Sequence, residues 1–212
     1  MITLGIELSS RQGSVALLKD GALLAEKTWI ADRVRHNGIF QTLETLLTET
    51  HISYYDISFY AVGRGPGSFS GMRMSFAIAQ ALALPNQTDV RAVSSGAALA
   101  QAAARDGAKQ IAVVGDARRG QVWIGFFQTL ENGVVECSND WKLVPYEEVS
   151  VPEGTLIVSP EAERLIQYFP TIGNPRFPLA SDVALLAERL SESEPLEPLY
   201  MHPPVFIEPN FG

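Results

Sequence analysis

The chain has 212 residues, 46% of them apolar, with a formal net charge of −8. That length holds one large domain or two small ones, and the apolar share excludes a chain that stays unfolded for want of a core. No apolar run approaches the ~18 residues of a membrane span, no basic leader is read at the start, and the lone cysteine, Cys137, excludes an intramolecular disulfide and fits a reducing, cytoplasmic setting.

The charge is uneven. Through Phe127 there are 12 Lys+Arg against 10 Asp+Glu; from Gln128 onward there are 4 against 14. Phosphate contact needs a cationic face, so the second half is expected not to bind nucleic acid. The first half carries no such exclusion.

The chain opens as a sheet. Ile2–Leu8 reads as a strand, Ser14–Lys19 as a second, and Ala22–Ile30 as a third. Asp20-Gly21 between the last two is a strong two-residue hairpin signal, because both turn positions need positive φ. From His36 to about Thr50 the period becomes helical: Ile39, Leu43, Leu46 and Leu47 form one apolar stripe. Another strand runs from Asp56 to Val62. A glycine-rich loop follows, and then a helix from about Gly71 to Leu84, apolar almost all round, with Met74, Ile78 and Leu82 among small residues. Such a helix is buried in its own protein or against a partner.

Val90–Val93 is a short strand, and Ser94 or Ser95 caps a helix from Gly96 to Asp106. Ile111–Gly115 reads as a buried strand, Asp116–Gly120 as a charged turn, and Gln121–Gln128 and Gly133–Asn139 as a second meander. A strand at Thr155–Val158 and helices at Glu161–Phe169 and Asp182–Ser191 follow; the tail from Glu194 is proline-rich and reads as extended. A meander followed by helix occurs twice, which implies two related lobes, 1–107 and 108–212.

The loudest feature is Gly63-Arg64-Gly65-Pro66-Gly67-Ser68-Phe69-Ser70-Gly71. It is no Walker loop, since Met72-Arg73 stands where Lys-Ser/Thr is needed. It is no dinucleotide fingerprint, since Ser70 takes the third glycine's place. Nor is it a nucleophile elbow. What remains is a strand, a loop of backbone N–H groups and a helix start, which suits an anion or a closely approaching backbone. Asp116, with Arg118 and Arg119 beside it, reads either as a site acid next to a phosphate binder or as a lobe-linking salt bridge. Glu7 reads as a solvated strand end or as a holder of metal-bound water. No histidine pair has metal-ligand spacing among His36, His51 and His202, and no nucleophile–base constellation supports a peptidase.

Gly65-Pro66-Gly67-Ser68-Phe69-Ser70-Gly71-Met72-Arg73 closely resembles the G-P-G-S-F-T-G-L-R signature of the TsaB (YeaZ-type) family. Val93-Ser94-Ser95, Asp116-Ala117-Arg118 and Pro198-Leu199-Tyr200-Met201 resemble further family segments in the same order; His202 stands in place of a tail arginine, and Ile6-Glu7-Leu8-Ser9 in place of I-D-T-S. The resemblance implies an α/β, actin-like ATPase architecture of two similar lobes. It implies a non-catalytic subunit of the machinery that places threonylcarbamoyl on adenosine 37 of tRNA. The implied partners are the catalytic subunit TsaD, a TsaE-type ATPase and, for the chain alone, a second copy; tRNA contact is indirect. Ile39, Leu43, Leu46, Leu47, Met74, Ile78 and Leu82 are the expected interface residues. No catalytic residue or metal is expected, and ATP is expected weakly or only in the complex. The alternative is a small ATP-dependent kinase or phosphotransferase of the same fold, using Glu7, Asp116, Arg118 and the glycine loop.

Overall fold

In the computed structural model, which describes residues 1–30, 38–190 and 194–202, the opening residues form the antiparallel meander that the sequence implies. Strands β1 (Ile2–Glu7), β2 (Gln12–Lys19) and β3 (Ala22–Ile30) pair in succession. Asp20 and Gly21 turn the chain with φ of 52° and 78°, the left-handed pair a two-residue hairpin demands. β4 (Phe59–Gly63) and β5 (Asp89–Val93) then add in parallel, giving the order β3-β2-β1-β4-β5.

Parallel neighbours need crossover segments, usually helices. α1 (Gly38–Thr50) precedes β4, and α2 (Phe69–Ala83) joins β4 to β5. Both lie on one face of the sheet. The stripe Ile39, Leu43, Leu46 and Leu47 is buried there among Leu4, Ile6, Val15 and Leu17. These four were expected to face a partner; they are covered by the chain's own sheet instead, where each is worth about 1.5–3 kcal/mol of burial. Ile78 is likewise buried and Leu82 half-buried on this core. Of the expected interface residues, Met74 alone is exposed. His36, expected to open α1, lies outside the described residues.

The opposite face of the sheet is covered by α5 (Ala180–Arg189), whose Ala180, Val183, Ala184 and Ala187 pack on Ala16, Leu18, Phe59 and Ala61. A division at residue 107 assigns this helix to the second lobe, yet it returns to the first sheet. α3 (Ser95–Arg105) lies between the halves. Its Ala98 joins the core under α5, while Leu99, Ala100 and Ala103 join the core of the second sheet. An alanine-rich helix is thin enough to be gripped on two sides. Arg105 pairs through both guanidinium nitrogens with the buried carboxylate of Asp182, which ties α3 to α5.

The second sheet contains β6 (Gln110–Arg118), β7 (Gln121–Thr129), β8 (Val135–Cys137), β9 (Lys142–Pro145) and β10 (Leu156–Val158). The order is β10-β6-β7-β8, with β9 also on β7 and β10 parallel to β6. The sequence reading missed β9. α4 (Ala162–Leu165) packs Ala162 and Leu165 on the outer face. The helix expected through Phe169 shortens to this one turn and continues as bonded turns as far as Phe169, before Pro170. No helix among the described residues is long and apolar enough to cross a membrane.

Candidate functional site

A cleft of about 1100 Å³ opens between the two halves. One wall is Ser9, Ser10 and Arg11 after β1 with Gly67, Ser68, Phe69 and Arg73 at the head of α2. The other is Asp116, Arg118 and Arg119 after β6 with Glu161, Glu163 and Arg164 at α4. Tyr200, Met201 and His202 run along its rim.

The glycine loop is shaped by its neighbours. A Cβ at Gly67 would lie 2.2 Å from the Ser9 carbonyl oxygen, and one at Gly71 would lie 1.9 Å from that of Leu8. A Cβ at Gly65, where φ is 98°, would lie 2.2 Å from Met72 Sδ. Of the two readings the sequence left open, the closely approaching backbone is present: the loop is pressed against the end of β1. Ser68 N–H donates to Ser9 O at 2.6 Å, and Ser68 Oγ caps α2 by accepting from Gly71 N at 3.3 Å. Ser70 Oγ lies 3.5 Å from Ser68 Oγ, and the Gly65–Pro66 peptide is cis.

Glu7 is neither solvated nor in the cleft lining. It is fully buried beneath Gly63, accepting from Ser9 N–H and, at 2.6 Å, from Ser95 Oγ. Ser95 Oγ in turn accepts from Gly65 N at 2.9 Å. Burial pushes the Glu7 carboxyl above its ordinary range, against the hydrogen bonds from Ser9 and Ser95. The strand-end acid is thus a strut joining β1, the glycine loop and α3.

Asp116 does line the cleft. Its Oδ1 accepts from Arg118 N–H at 2.8 Å and Tyr146 O–H at 2.9 Å; its Oδ2 meets the guanidinium groups of Arg118 at 2.8 Å and Arg164 at 3.4 Å. Burial works to raise its carboxyl, but these bonds and charges prevail and hold it below its ordinary value. Tyr146 is pushed up to about 12 by burial and by its bond to Asp116. Arg118 and Arg119 take left-handed φ of 66° and 54° ahead of Gly120, which presents both side chains on an exposed turn. Sequence reasoning missed Tyr146, Glu161 and Arg164, which stand 30, 45 and 48 residues from Asp116. The one local signal was Ser159-Pro160-Glu161, where Ser159 Oγ accepts from Glu161 N–H at 2.9 Å.

The tail is anchored on both halves. Arg64, itself buried, pairs with Glu194 at 3.0 Å and donates from Nε to Glu197 O at 3.0 Å. Leu199 N–H donates to Arg64 O at 2.7 Å. Farther on, Arg73 Nε donates to Tyr200 Oη at 2.9 Å, and His202 Nε2 donates to Ala117 O at 2.7 Å. His51 ends α1 in a left-handed conformation.

The family model described as "TsaD: tRNA N6-adenosine threonylcarbamoyltransferase" matches residues 30–142. The Escherichia coli K12 tRNA threonylcarbamoyladenosine biosynthesis protein TsaB is 34% identical over 82% of this chain and 71% of its own. The Bacillus subtilis 168 protein of the same name is 31% identical over 72% of this chain and 64% of its own. A solved structure titled "YeaZ from Pseudomonas aeruginosa" superposes with a TM-score of 0.79 at 29% identity, covering 94% of this chain and 99% of that one. A second Pseudomonas aeruginosa structure, titled as similar to peptidase YEAZ, gives 0.83 at 28%, covering 95% and 99%. More distantly, the activator of a 2-hydroxyisocaproyl-CoA dehydratase from Clostridium difficile shares the fold alone, at 15% identity and a TM-score of 0.50 over 88% of this chain and 94% of that one. With paired mixed sheets of the actin-like ATPase kind and relatives this similar across most of their length, the chain belongs to the TsaB family of tRNA threonylcarbamoyladenosine biosynthesis proteins.

Proposed function

We propose that the chain is a non-catalytic scaffold subunit of the complex that places threonylcarbamoyl on adenosine 37 of tRNA, working in the cytoplasm. It pairs with and stabilises a TsaD-type catalytic subunit, and a TsaE-type ATPase joins the pair. The observation that carries this reading is the outward side of α2. Met74, Ala77 and Ala81 follow one another at helical spacing and are all exposed. Leu84 beyond the helix end is 78% exposed, and Phe40 on α1, over the same sheet face, is 61% exposed. An open apolar stripe between polar residues fits burial against another protein, and small side chains let a second helix approach closely. Alone, the chain would use this stripe to meet a second copy of itself.

The cleft fits the non-catalytic half of the reading. Its glycines are pressed on the chain's own backbone, and Glu7 is turned inward as a strut. ATP is therefore taken up weakly or only within the complex. The acidic second half keeps tRNA contact indirect, leaving the phosphate contacts to the catalytic subunit.

Co-purification with the TsaD-type subunit tests the pairing. Met74→Asp sets a charge on the exposed stripe without entering the core, so the variant folds and loses its partner. Recovery of the partner at the yield of the unaltered chain would place the interface elsewhere. Ile78→Asp is not a test of the surface, because Ile78 lies in the core.

A further inference from the structure

The segment Pro198-Leu199-Tyr200-Met201-His202 has no role in the docking stripe, yet it is held at nearly every residue. Arg64 grips its start through Glu194, the Glu197 carbonyl and the Leu199 amide. Tyr200 stacks against Phe69 with ring centres 4.9 Å apart and receives the Arg73 Nε hydrogen bond, while the Arg73 guanidinium covers Phe69 at 4.2 Å. All of these partners belong to the first half. The next residue changes sides: Met201 packs on the core of the second sheet, and His202 bonds the Ala117 carbonyl at the end of β6. The segment therefore crosses from one half to the other along the rim of the cleft.

Among the described residues little else joins the two walls there. Arg11 reaches Glu163 at 3.2 Å and lies over the Phe177 ring at 5.2 Å, but the Arg11 and Glu163 side chains are exposed, and a solvent-screened pair of this kind holds weakly. Elsewhere the halves share α3, buried against both sheets. A shared helix at the base and a tie at the rim are the parts of a hinge and its catch.

We propose that residues 194–202 form a latch that sets the angle between the two halves, with Tyr200 and His202 as the positioning residues that close it. The first-half side of the latch is the opening turn of α2, the helix whose next turns carry the exposed stripe. A closed latch holds that stripe at one fixed attitude to the second half, and such preorganisation lowers the cost of any docking on it. Release lets the cleft open about α3. The latch itself does not rest on the scaffold reading, since it is a property of the isolated chain.

Spin-label distance measurement between Glu44→Cys on α1 and Glu153→Cys on the turn before β10 of the second sheet, in a Cys137→Ser background, reads the angle directly; all three positions are exposed. The latched chain gives one narrow distance distribution. Adding Tyr200→Ala with His202→Ala broadens it and shifts it to longer distance, while circular dichroism keeps the folded signal. An unchanged distribution overturns the latch. Should that double variant fail to fold, Arg73→Ala, which leaves the tail sequence intact, gives the same broadening to a smaller extent, and an unchanged distribution there overturns the latch equally. Met74→Asp keeps the narrow distribution, so loss of docking and loss of the latch are read separately.

Discussion

Glu7 shows how far one residue's surroundings decide its chemistry. It ends a central strand that has helices packed on both faces of its sheet, so no direction from β1 leads to water. Its carboxyl is raised above the ordinary 4.5 by burial, with Ser9 and Ser95 opposing. The protonated form is therefore the one the fold favours. The stability that this group lends is complete below 4.5 and is lost as pH climbs through the raised folded value. Glu7→Gln keeps an acceptor oxygen for the Ser9 amide, turns an N–H toward Ser95 Oγ, and abolishes the titration. Urea unfolding across this window is expected to show the variant gaining on the unaltered chain as pH rises; a constant difference between them would contradict it. The sequence placed Glu7 correctly at a strand end. It did not reveal the inward turn, because the partner that covers the carboxyl, Ser95, opens α3 88 residues later in the chain.

At the scale of elements, the opening turn of α2 reverses an ordinary rule. Alanine in place of glycine within a helix usually adds about 1 kcal/mol. At Gly71 the new Cβ would stand 1.9 Å from the Leu8 carbonyl oxygen, which belongs to backbone and cannot swing aside. Gly71→Ala is expected to destabilise the fold by about 1–3 kcal/mol, the usual cost of overpacking, and to lower the urea midpoint. A raised midpoint would show that the loop has room to yield. The hairpin at Asp20-Gly21, the stripe on α1 and the cap at Ser94 were all legible, since each depends on residues within one or two turns. What covers an apolar stripe was not legible. Periodicity says that Ile39, Leu43, Leu46 and Leu47 are buried; only the placement of the sheet says that the chain itself buries them. α2 divides the matter, with Ile78 inward and Met74 outward one turn apart.

Across the whole molecule, two halves share α3, meet at a cleft and are tied by the tail. The duplicated meander pointed to two lobes, but not to α5 returning from beyond residue 179 onto the first sheet. Asp116 and Arg118 were found from their own turn, while Tyr146, Glu161 and Arg164 were not, because contacts so distant along the chain leave no local pattern. The proposed function divides the labour: α2 would offer a docking stripe, and the cleft would do no chemistry of its own. Reconstituted threonylcarbamoylation of tRNA, with the TsaD-type and TsaE-type subunits supplied, separates the two most directly. Asp116→Asn is expected to retain most of the activity, and Met74→Asp to abolish it. Full activity from Met74→Asp together with its loss in Asp116→Asn would contradict the scaffold reading and make the cleft an active site.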